Sequence, residues 1–490
     1  MRRLTIGFFH PNLGIGGAER LVVDAAVSLQ KLGHRVVVYT MHHDVSHCFD
    51  ETRDGTLEVR VGGGWLLPRS ILGRLHIACT TLRGLWLART MSNARENFDV
   101  VFVDQLSAAI PLLRFTRARI LFYCHFPDFL QASHEGVVRM AYRRVFDWIE
   151  QATTAEADEV VVNSRFTQEV FRRAFPLIGS VPRVLLPPLN LAAYDRPVDR
   201  QDAALWGLRT RKRTVVSINR FERRKHVHLA VEAMAAILQD SSSGEKDRAC
   251  LVVAGGWDAE VAENAECLRD LVRLAKSLGL RTRTLAPSTV RRGDARARLL
   301  PEDAEFAPLV ADAATEDLAH TDVVFVPSFS ANQRAHLLSQ ARCVAYTPSN
   351  EHLGIARCVA YTPSNEHLGI VPLEAMYMRV PVVAADSGGP RETVAHGKTG
   401  FLCEPTAEGF AAAIDAVLRL DDARWAAMGA AGRERVAKAH DLDAFGAQLE
   451  RVMAGMLARE PNAPMVLGVA LTLFIVGTAA LVFVAVGFVF

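Results

Sequence analysis

The hydrophobic pattern of the chain alternates between short, continuous apolar runs and longer amphipathic stretches. In the first part of the chain the apolar runs lie at 4–9, 35–40, 100–103, 119–123 and 159–162. Helical stretches such as Glu19 to Leu32 separate them. Strands that are apolar on both faces are typical of a parallel sheet that helices cover on each side. This part of the chain therefore predicts a doubly wound α/β domain.

The pattern stops at a proline-containing segment, LLPPLNLAAYDRP at 185–197, and then begins again. This segment predicts a linker. The apolar runs that follow lie at 214–219, 250–255, 322–327, 343–348, 358–363 and 381–386. We therefore predict two Rossmann-like domains, 1–196 and 197–460, that bind a ligand between the carboxyl ends of their strands.

Residues 281–320 interrupt the pattern of the second half. They are rich in arginine, acidic residues and alanine and have no clear apolar period. We expect an exposed insertion. Its arginines could contact anionic lipid, although a solvated loop is the simpler interpretation.

An identical tandem repeat also interrupts the second half. The sequence ARCVAYTPSNEHLGI occupies 341–355 and again 356–370, with the same residue at all 15 positions. Because the fold has use for one copy only, we expect the second copy to supply the strand and loop of the site. The first copy is then surplus.

The last segment of the chain, 465–490, contains no charged residue. As a helix it would extend roughly 39 Å, which is enough to cross a hydrocarbon layer of about 30 Å. We therefore predict a C-terminal transmembrane helix.

Composition narrows the class of protein. The formal net charge of the 490 residues is only +2, which argues against a dedicated nucleic-acid binder. The eight cysteines are scattered singly and form no CxxC pair, as expected of reduced thiols in a protein that faces the cytosol.

Two basic or glycine-rich turns are candidates for phosphate binding. PNLGIGGAER (11–20) follows the first strand, and Gly14, Gly16 and Gly17 would let a phosphate approach a helix N-terminus. A tight structural turn explains the same glycines equally well. NRFERRKH (219–226) follows the first strand of the second half, where Arg220 and Lys225 could neutralise a diphosphate. The alternative is a solvated basic turn.

The most specific motif is SNEHLGIVPLEAMYMRVPVVAADSGGPRE, at 364–392. Pro372 suits the first turn of a helix, which places Glu366 in the preceding loop and Glu374 on the helix. The backbone amides of 368–371 then line a helix N-terminus, which favours phosphate or sugar oxygens.

This strand, loop and helix, with its two glutamates separated by seven residues, resembles the second domain of the retaining glycosyltransferases of family 4, which have the GT-B fold. The resemblance covers about 4–455, apart from 281–320 and one repeat copy. Within the family it is most specific to mannosyltransferases of the dolichol pathway. The further motifs that carry it are FFHPNLGIGGAERLV, YCHFPDFL at 123–130, VVNSRFT at 161–167, SINRFERRKHVHLAVEA at 217–233 and VVAGGWD at 252–258.

The resemblance implies roles for individual residues. His125 and Glu366 would contact the donor sugar, and Glu374 the nucleotide ribose. Arg220 and Lys225 would hold the diphosphate, so that His125, Glu366 and Lys225 are the candidate catalytic residues. The other candidate donor-binding residues are Gly14, Gly16, Gly17, His367, Leu368, Gly369, Ile370 and Val371.

The resemblance also implies a reaction. Mannose would pass from GDP-mannose to dolichol-diphosphate-linked Man1GlcNAc2 and Man2GlcNAc2, once α-1,3 and once α-1,6, with no metal ion or other cofactor and no protein nucleophile. The expected location is the endoplasmic reticulum membrane, with the catalytic domains on the cytosolic face. The expected partners are membrane lipid and other mannosyltransferases of the pathway, but no nucleic acid. Residues 69–90 could form an interfacial helix, or equally an ordinary domain helix.

Two other functions remain open at this stage. One is a family-4 transferase with a different donor, such as UDP-glucose or UDP-N-acetylglucosamine. The other is a catalytically inactive membrane scaffold, which the duplicated segment suggests, because only the second copy completes the pair of glutamates.

Overall fold

The fold was analysed in a computed structural model of the chain. It describes residues 2–14, 16–45, 48–62, 76–94, 96–130, 137–202, 205, 213–240, 248–258, 261–287, 290–302, 304–306, 321–348, 369–460 and 477. These residues form two compact units. The first contains the described residues up to Pro188 and those from Ala439 onward, and the second runs from Leu189 to Lys438.

The first unit is a parallel sheet with helices on both faces. Its described strands have the order β3-β2-β1-β4-β5-β6-β7, which is the doubly wound arrangement. Its elements are β1 (Thr5–Asn12), α1 (Gly17–Lys31), β2 (Arg35–His42), β3 (Glu58–Val61), α2 (His76–Ser92), β4 (Val100–Asp104), α3 (Ile110–Leu113), β5 (Arg119–Cys124), α4 (Val137–Thr154), β6 (Glu159–Val162), α5 (Arg165–Ala174) and β7 (Arg183–Val184).

The second unit repeats this architecture. Its described strands are parallel and have the order β11-β10-β12-β9-β8-β13-β14-β15. Its elements are α6 (Leu191–Tyr194), β8 (Thr214–Ile218), α7 (His228–Asp240), β9 (Cys250–Gly255), α8 (Ala262–Ser277), β10 (Thr282–Leu285), β11 (Ala304–Glu305), β12 (Val323–Pro327), α9 (Ala331–Gln340), β13 (Cys343–Tyr346), α10 (Ile370–Tyr377), β14 (Val382–Ala385), α11 (Pro390–Thr393), β15 (Gly400–Cys403), α12 (Ala407–Leu418) and α13 (Asp422–Ala439).

The central strands are buried on both faces, which is why they are continuously apolar in sequence. Every residue of β4, β8, β9 and β12 is buried. In the first unit the rings of Phe8 and Phe102 stack with their centroids 4.7 Å apart. The prediction of two Rossmann-like domains is therefore confirmed.

The expectation that 281–320 is an exposed insertion is wrong for its described part. The strands β10 and β11 extend the second sheet, and Leu285 and Leu300 are buried. Arg281 pairs with the carboxylate of Asp322 at 3.1 Å. Burial would raise the pKa of Asp322, but Arg281 and Arg248 outweigh it and lower that pKa to about 2. Two arginines of this segment, Arg281 and Arg283, thus partner carboxylates beside the sheet.

The repeat is used differently from our expectation. The strand β13 comes from the first copy and lies between β8 and β14. Helix α10 begins at Ile370, the last residue of the second copy. The first copy is therefore not surplus, since it supplies the strand. Residues 349–368, which include the predicted strand at 358–363, lie outside the described residues.

The C-terminal part of the chain differs from the predicted boundary at 460. Helix α14 (Leu442–Leu457) belongs to the first unit, where its residue Gly446 lies against Ser28 of α1. Among the described residues, none of the helices has both the length and the apolar character that crossing a bilayer requires. The predicted transmembrane segment, 465–490, lies outside the described residues except for Gly477.

Helix α2 contains all of the described part of the predicted interfacial helix, and it packs as a domain helix. Leu85 and Leu87 are buried, and so is Arg83, whose guanidinium approaches the backbone oxygen of Met41. Only Trp86 among the large apolar side chains described on this helix is exposed. The described part of 69–90 therefore favours the domain-helix alternative.

Candidate functional site

The candidate site of the first unit is built at the carboxyl edge of the first sheet. His10 lies near the end of β1, Asp104 ends β4, and His125 follows β5. These three strands are neighbours in the order β1-β4-β5. Because parallel strands end at the same edge of a sheet, three residues distant in sequence come together there.

Asp104 lies between the two histidines. Its Oδ2 is 2.8 Å from His10 Nδ1, and its Oδ1 is 2.8 Å from His125 Nε2. The Asp104 side chain is fully buried, whereas that of His125 is 22% exposed. His125 can therefore contact a ligand while it remains paired with Asp104. Burial would raise the pKa of Asp104, but His125 and His10 outweigh it and keep that pKa below its ordinary value. Burial likewise would lower the pKa of His125, but Asp104 outweighs it and raises that pKa.

The loop that carries His125 is fixed by one other sequence motif and by helix α4. The Asn163 amide nitrogen of VVNSRFT donates to the backbone oxygen of His125 at 3.0 Å. The carboxylate of Glu150 accepts from the backbone nitrogens of Asp128 and Phe129, at 2.7 Å and 3.0 Å. Burial, above all, raises the pKa of Glu150 well above its ordinary range. These contacts hold the CHFPD loop rigidly against the sheet.

The predicted glycine loop begins helix α1. Gly16 immediately precedes the helix and Gly17 is its first residue, as the motif predicts, and Gly14 lies just after β1. The carboxylate of Glu19 occupies the space where a side chain at position 16 would lie. Its Oε1 is 4.0 Å from His10 Nε2. The glycine loop and the histidine pair therefore lie side by side in the first unit.

The basic turn after β8 forms part of the candidate site of the second unit. Arg220 is largely exposed, and its guanidinium lies 3.0 Å from Glu222 Oε1. Lys225 is half-buried at the end of a 3₁₀ turn that spans Arg223–Lys225. Its backbone oxygen accepts from the hydroxyl of Thr347 at 2.7 Å. This hydrogen bond joins the turn to Thr347, the residue that follows β13.

Glu374 is buried on α10 and has two donors on one carboxylate oxygen. Oε1 accepts from the hydroxyl of Tyr194 at 2.6 Å and from Nη1 of Arg334 at 2.7 Å. Oε2 is buried and has no hydrogen-bond partner among the described residues. Burial, followed by the negative charge of Glu374, raises the pKa of Tyr194, and Glu374 is the main cause of the raised pKa of Arg334.

Gly369 precedes α10 and makes the N-terminus of this helix possible. Its φ is +78°, which favours glycine, and a Cβ there would lie 2.9 Å from the hydroxyl of Tyr346. Tyr346 belongs to the first repeat copy and Gly369 to the second. Ile370 and Val371 form the first turn of the helix, as predicted. Glu366, His367 and Leu368 lie outside the described residues.

Four residues of these two candidate sites were not singled out from the sequence: His10, Asp104, Tyr194 and Arg334. His10 and Asp104 had a signal, because each is a polar residue directly after an apolar strand run. Tyr194 and Arg334 had none. Tyr194 lay in a segment interpreted as a linker, and the contact of both residues with Glu374 depends on tertiary packing.

Within the part of the chain that the structure describes, no three His, Cys, Asp or Glu side chains are grouped in a way that could hold a metal ion.

Comparison with known proteins places both units in glycosyltransferase families. The family described as "Glycosyltransferase Family 4" matches residues 15–192, and "Glycosyl transferases group 1" matches 199–435. Solved structures agree on the fold. A sucrose-phosphate synthase from Thermosynechococcus elongatus has a TM-score of 0.66 at 20% identity, covering 93% of this chain and 100% of its own. Anabaena HepE in complex with UDP-glucose has a TM-score of 0.59 at 18% identity, covering 92% and 100%.

Curated relatives are much more similar in sequence. The alpha-1,3/1,6-mannosyltransferase ALG2 of Rhizomucor pusillus is 44% identical over 468 residues, covering 94% of each chain. The enzyme of the same name from Homo sapiens is 40% identical and covers 92% of this chain and 96% of its own length. That from Schizosaccharomyces pombe is 39% identical, covering 94% and 82%. Because these matches cover both units and nearly the whole length, this chain is a glycosyltransferase and belongs to the family of α-1,3/1,6-mannosyltransferases.

Proposed function

We propose that this enzyme transfers mannose from GDP-mannose to dolichol-diphosphate-linked Man1GlcNAc2 and then to Man2GlcNAc2, making one α-1,3 and one α-1,6 linkage. The observation that carries the proposal is the 44% identity, over 94% of both chains, to a relative named for these two linkages. The donor and the lipid-linked acceptor come from the resemblance to the family. Both linkages keep the anomeric configuration of the donor.

The second unit supplies groups suited to hold the nucleotide. As the donor bond breaks, negative charge grows on the departing diphosphate, and fixed positive groups stabilise it most. Arg220 and Lys225 lie on the turn after β8, next to the N-terminal side of α7, and we assign them to the diphosphate. The unpartnered Oε2 of Glu374 supports its assignment to a ribose hydroxyl, because a buried carboxylate oxygen without a donor is costly to leave unsatisfied.

In the first unit we assign His125 to the donor sugar. Its partly exposed imidazole is held by Asp104, and its raised pKa favours the protonated form, which donates hydrogen bonds to sugar hydroxyls or to an anion. No metal ion is required in this mechanism, since arginine, lysine and histidine provide the positive charge.

We place the enzyme at the endoplasmic reticulum membrane, with both units on the cytosolic face. The lipid-linked acceptor that the family implies requires access to a membrane. Membrane lipid and other mannosyltransferases of the dolichol pathway are the partners we propose on the same ground.

The direct test is a transfer assay with the purified full-length chain in detergent. GDP-[³H]mannose and lipid-linked Man1GlcNAc2 should yield products one and two mannoses longer, and these should be sensitive to α-mannosidase. UDP-glucose and UDP-N-acetylglucosamine are the alternative donors. Transfer from either of them but not from GDP-mannose would refute the proposed donor, and no transfer from any donor would support the inactive scaffold. Activity in EDTA should be unchanged, and a loss that Mg²⁺ or Mn²⁺ restores would contradict the metal-independent mechanism.

The two repeat copies provide a matched control for the assignment of Glu366 to the donor sugar. Glu366 and Glu351 have identical neighbours on the N-terminal side, but only Glu366 stands eight positions before Glu374. We expect Glu366→Ala to reduce transfer by about 10²-fold or more, as expected when a charged contact to the reacting sugar is lost. Glu351→Ala should be nearly silent. If Glu351→Ala were the more damaging of the two, the first copy would supply the catalytic glutamate.

A further inference from the structure

The contacts of Glu374 lead beyond the assignment of this residue to the ribose. Its Oε1 is occupied by two donors, Tyr194 and Arg334, whereas its Oε2 is buried with no partner among the described residues. We propose that Tyr194 and Arg334 are positioning residues, which together fix the carboxylate of Glu374 so that Oε2 receives a ribose hydroxyl of the donor nucleotide. The inference rests on the proposed function, because it takes the ligand of Glu374 to be a nucleotide.

Arg334 is held in place by the start of its own helix. Ser330 and Gln333 form a reciprocal cap at the N-terminus of α9, with hydrogen bonds of 3.1 Å and 2.7 Å. The backbone nitrogen of Arg334 donates to Ser330 at 3.0 Å. The Arg334 guanidinium also lies over the ring of Phe329, with its carbon 5.3 Å from the ring centroid. Because the Arg334 guanidinium is fixed in this way, it approaches Oε1 of Glu374 from a defined direction.

Tyr194 is fixed by the residue that follows it. Asp195 accepts from the hydroxyl of Tyr377 at 2.9 Å and from Nη2 of Arg433 at 2.6 Å. Tyr377 is the last residue of α10, the helix that carries Glu374. The segment around α6 is therefore attached to α10 at two points, through Tyr194 to Glu374 and through Tyr377 to Asp195. Only the first of these attachments involves the carboxylate of Glu374.

The two donors have separate effects. Arg334 compensates the charge of a buried carboxylate, which would otherwise be very costly. Tyr194 is neutral and orients the Glu374 carboxylate, because a second donor on Oε1 limits rotation about the χ3 torsion. With Oε1 occupied, Oε2 is the oxygen left to accept a ribose hydroxyl. Loss of the Tyr194 hydroxyl should therefore weaken nucleotide binding without removing charge from the site.

The test compares Tyr194→Phe with Tyr377→Phe in the full-length enzyme. Both substitutions remove one hydroxyl between the α6 segment and α10, but only the first touches Glu374. Calorimetric titration with GDP and with 2′,3′-dideoxy-GDP measures binding, and thermal unfolding checks that each variant is folded. We expect Tyr194→Phe to weaken GDP binding about tenfold, the effect of one hydrogen bond to a charged group. Binding of dideoxy-GDP should be unchanged, and Tyr377→Phe should bind both nucleotides like the wild type.

The steady-state kinetics should agree with the titrations. Because the ribose does not react, Tyr194→Phe should raise KM for the donor about tenfold with little change in kcat. Arg334→Lys, which keeps the charge, should retain more affinity for GDP than Arg334→Gln. If Arg334→Gln does not fold, Tyr194→Phe alone still decides the question.

Other outcomes would overturn the inference or the function separately. Equal loss of affinity for GDP and dideoxy-GDP in Tyr194→Phe, or an equal effect of Tyr377→Phe, would overturn the positioning role and leave the proposed function intact. If the wild type bound UDP instead of GDP, the proposed donor would be wrong, and the same comparison with UDP and dideoxy-UDP would test the positioning role. Failure of the wild type to bind either nucleotide would overturn both.

Discussion

Asp104 is the residue on which the candidate site of the first unit depends most, because one buried carboxylate faces two imidazoles. In Asp104→Asn the position keeps its shape but loses the charge that raises the pKa of His125. We expect the pKa of His125, measured by NMR of the imidazole nitrogens, to fall toward or below 6.5. We expect kcat to fall about 10–100-fold, because His125 would lose its orientation and its preferred protonation state.

The pair of Asp104 and His125 also makes the stability of the protein depend on pH. The raised pKa of His125 gives a stabilising contribution that is complete below 6.5 and is lost as the pH rises through the raised value. The lowered pKa of Asp104 gives a second stabilising contribution, which is present above pH 3.8 and is lost as the pH falls through the lowered pKa. The difference in unfolding free energy between the wild type and Asp104→Asn should therefore shrink as the pH rises above 6.5 and through the raised pKa of His125. The exposed Glu58→Gln is the control, and an equal pH dependence in it would argue against the pair as the cause.

Lys225 offers a second prediction at this scale. We expect Lys225→Ala to slow transfer by roughly 10²–10³-fold, since a single fixed charge on a departing diphosphate contributes this much. Arg223→Ala is the matched control on the same 3₁₀ turn, because the Arg223 guanidinium pairs with Asp270 of α8, 2.8 Å away. Near-normal turnover in Lys225→Ala, or an equal loss in both variants, would contradict the assignment of Lys225.

At the residue scale, how well a feature could be predicted depended on the distance in sequence between the residues that form it. The glycine loop and the start of α10 are local, so the sequence of a few neighbours predicted them correctly. The pairing of His10 with Asp104 spans 94 positions, but sheet topology alone brings their strand ends together. The contact between Tyr194 and Glu374 spans 180 positions and depends on the packing of two helices. No pattern in the sequence indicates that contact.

At the scale of elements, buried central strands were predictable and edge strands were not. A strand covered on both faces is a continuous apolar run, as in the VVFV of β4 and the CLVVAG of β9. β3, β10 and β11 lie at or next to the sheet edges and carry charged or polar residues. Their hydrophobic signal is therefore weak, although their backbones pair in the same way.

The repeat gives the prediction that belongs to this scale. The connection between β13 and α10 spans 347–369, and 15 of its residues would be absent from a chain with a single copy. Because the entropic cost of closing a loop grows with the logarithm of its length, deletion of 341–355 should stabilise the protein by about 1 kcal/mol. Urea unfolding of the deletion variant would measure this, and transfer activity should be retained or increased. A less stable variant would show that the longer connection makes stabilising contacts.

At the scale of the whole molecule, we predict that the segment 465–490 attaches the protein to the membrane. The described residues supply two Rossmann-like units, and the segment 465–490 lies beyond them apart from Gly477. Truncation after Pro464 should move the protein from the membrane to the supernatant after carbonate extraction, because the removed segment is the long uncharged stretch of the sequence. Insertion of two arginines near residue 478 of the full chain should have the same effect. Continued resistance of the truncated chain to carbonate would assign the attachment to another segment.

The position of β13 has a consequence for how this chain tolerates mutation. One place in the sheet is filled by 343–346, and the same four residues occur again in the sequence at 358–361. A harmful change in one copy of this strand sequence would leave the other copy unchanged within the same polypeptide. Selection on each copy of the strand sequence would thereby be relaxed, whereas loss of both would be as damaging as a core mutation in a single-copy chain. Loss of either copy as a unit also yields the same protein, so a single deletion in the gene restores the shorter chain whichever copy it removes.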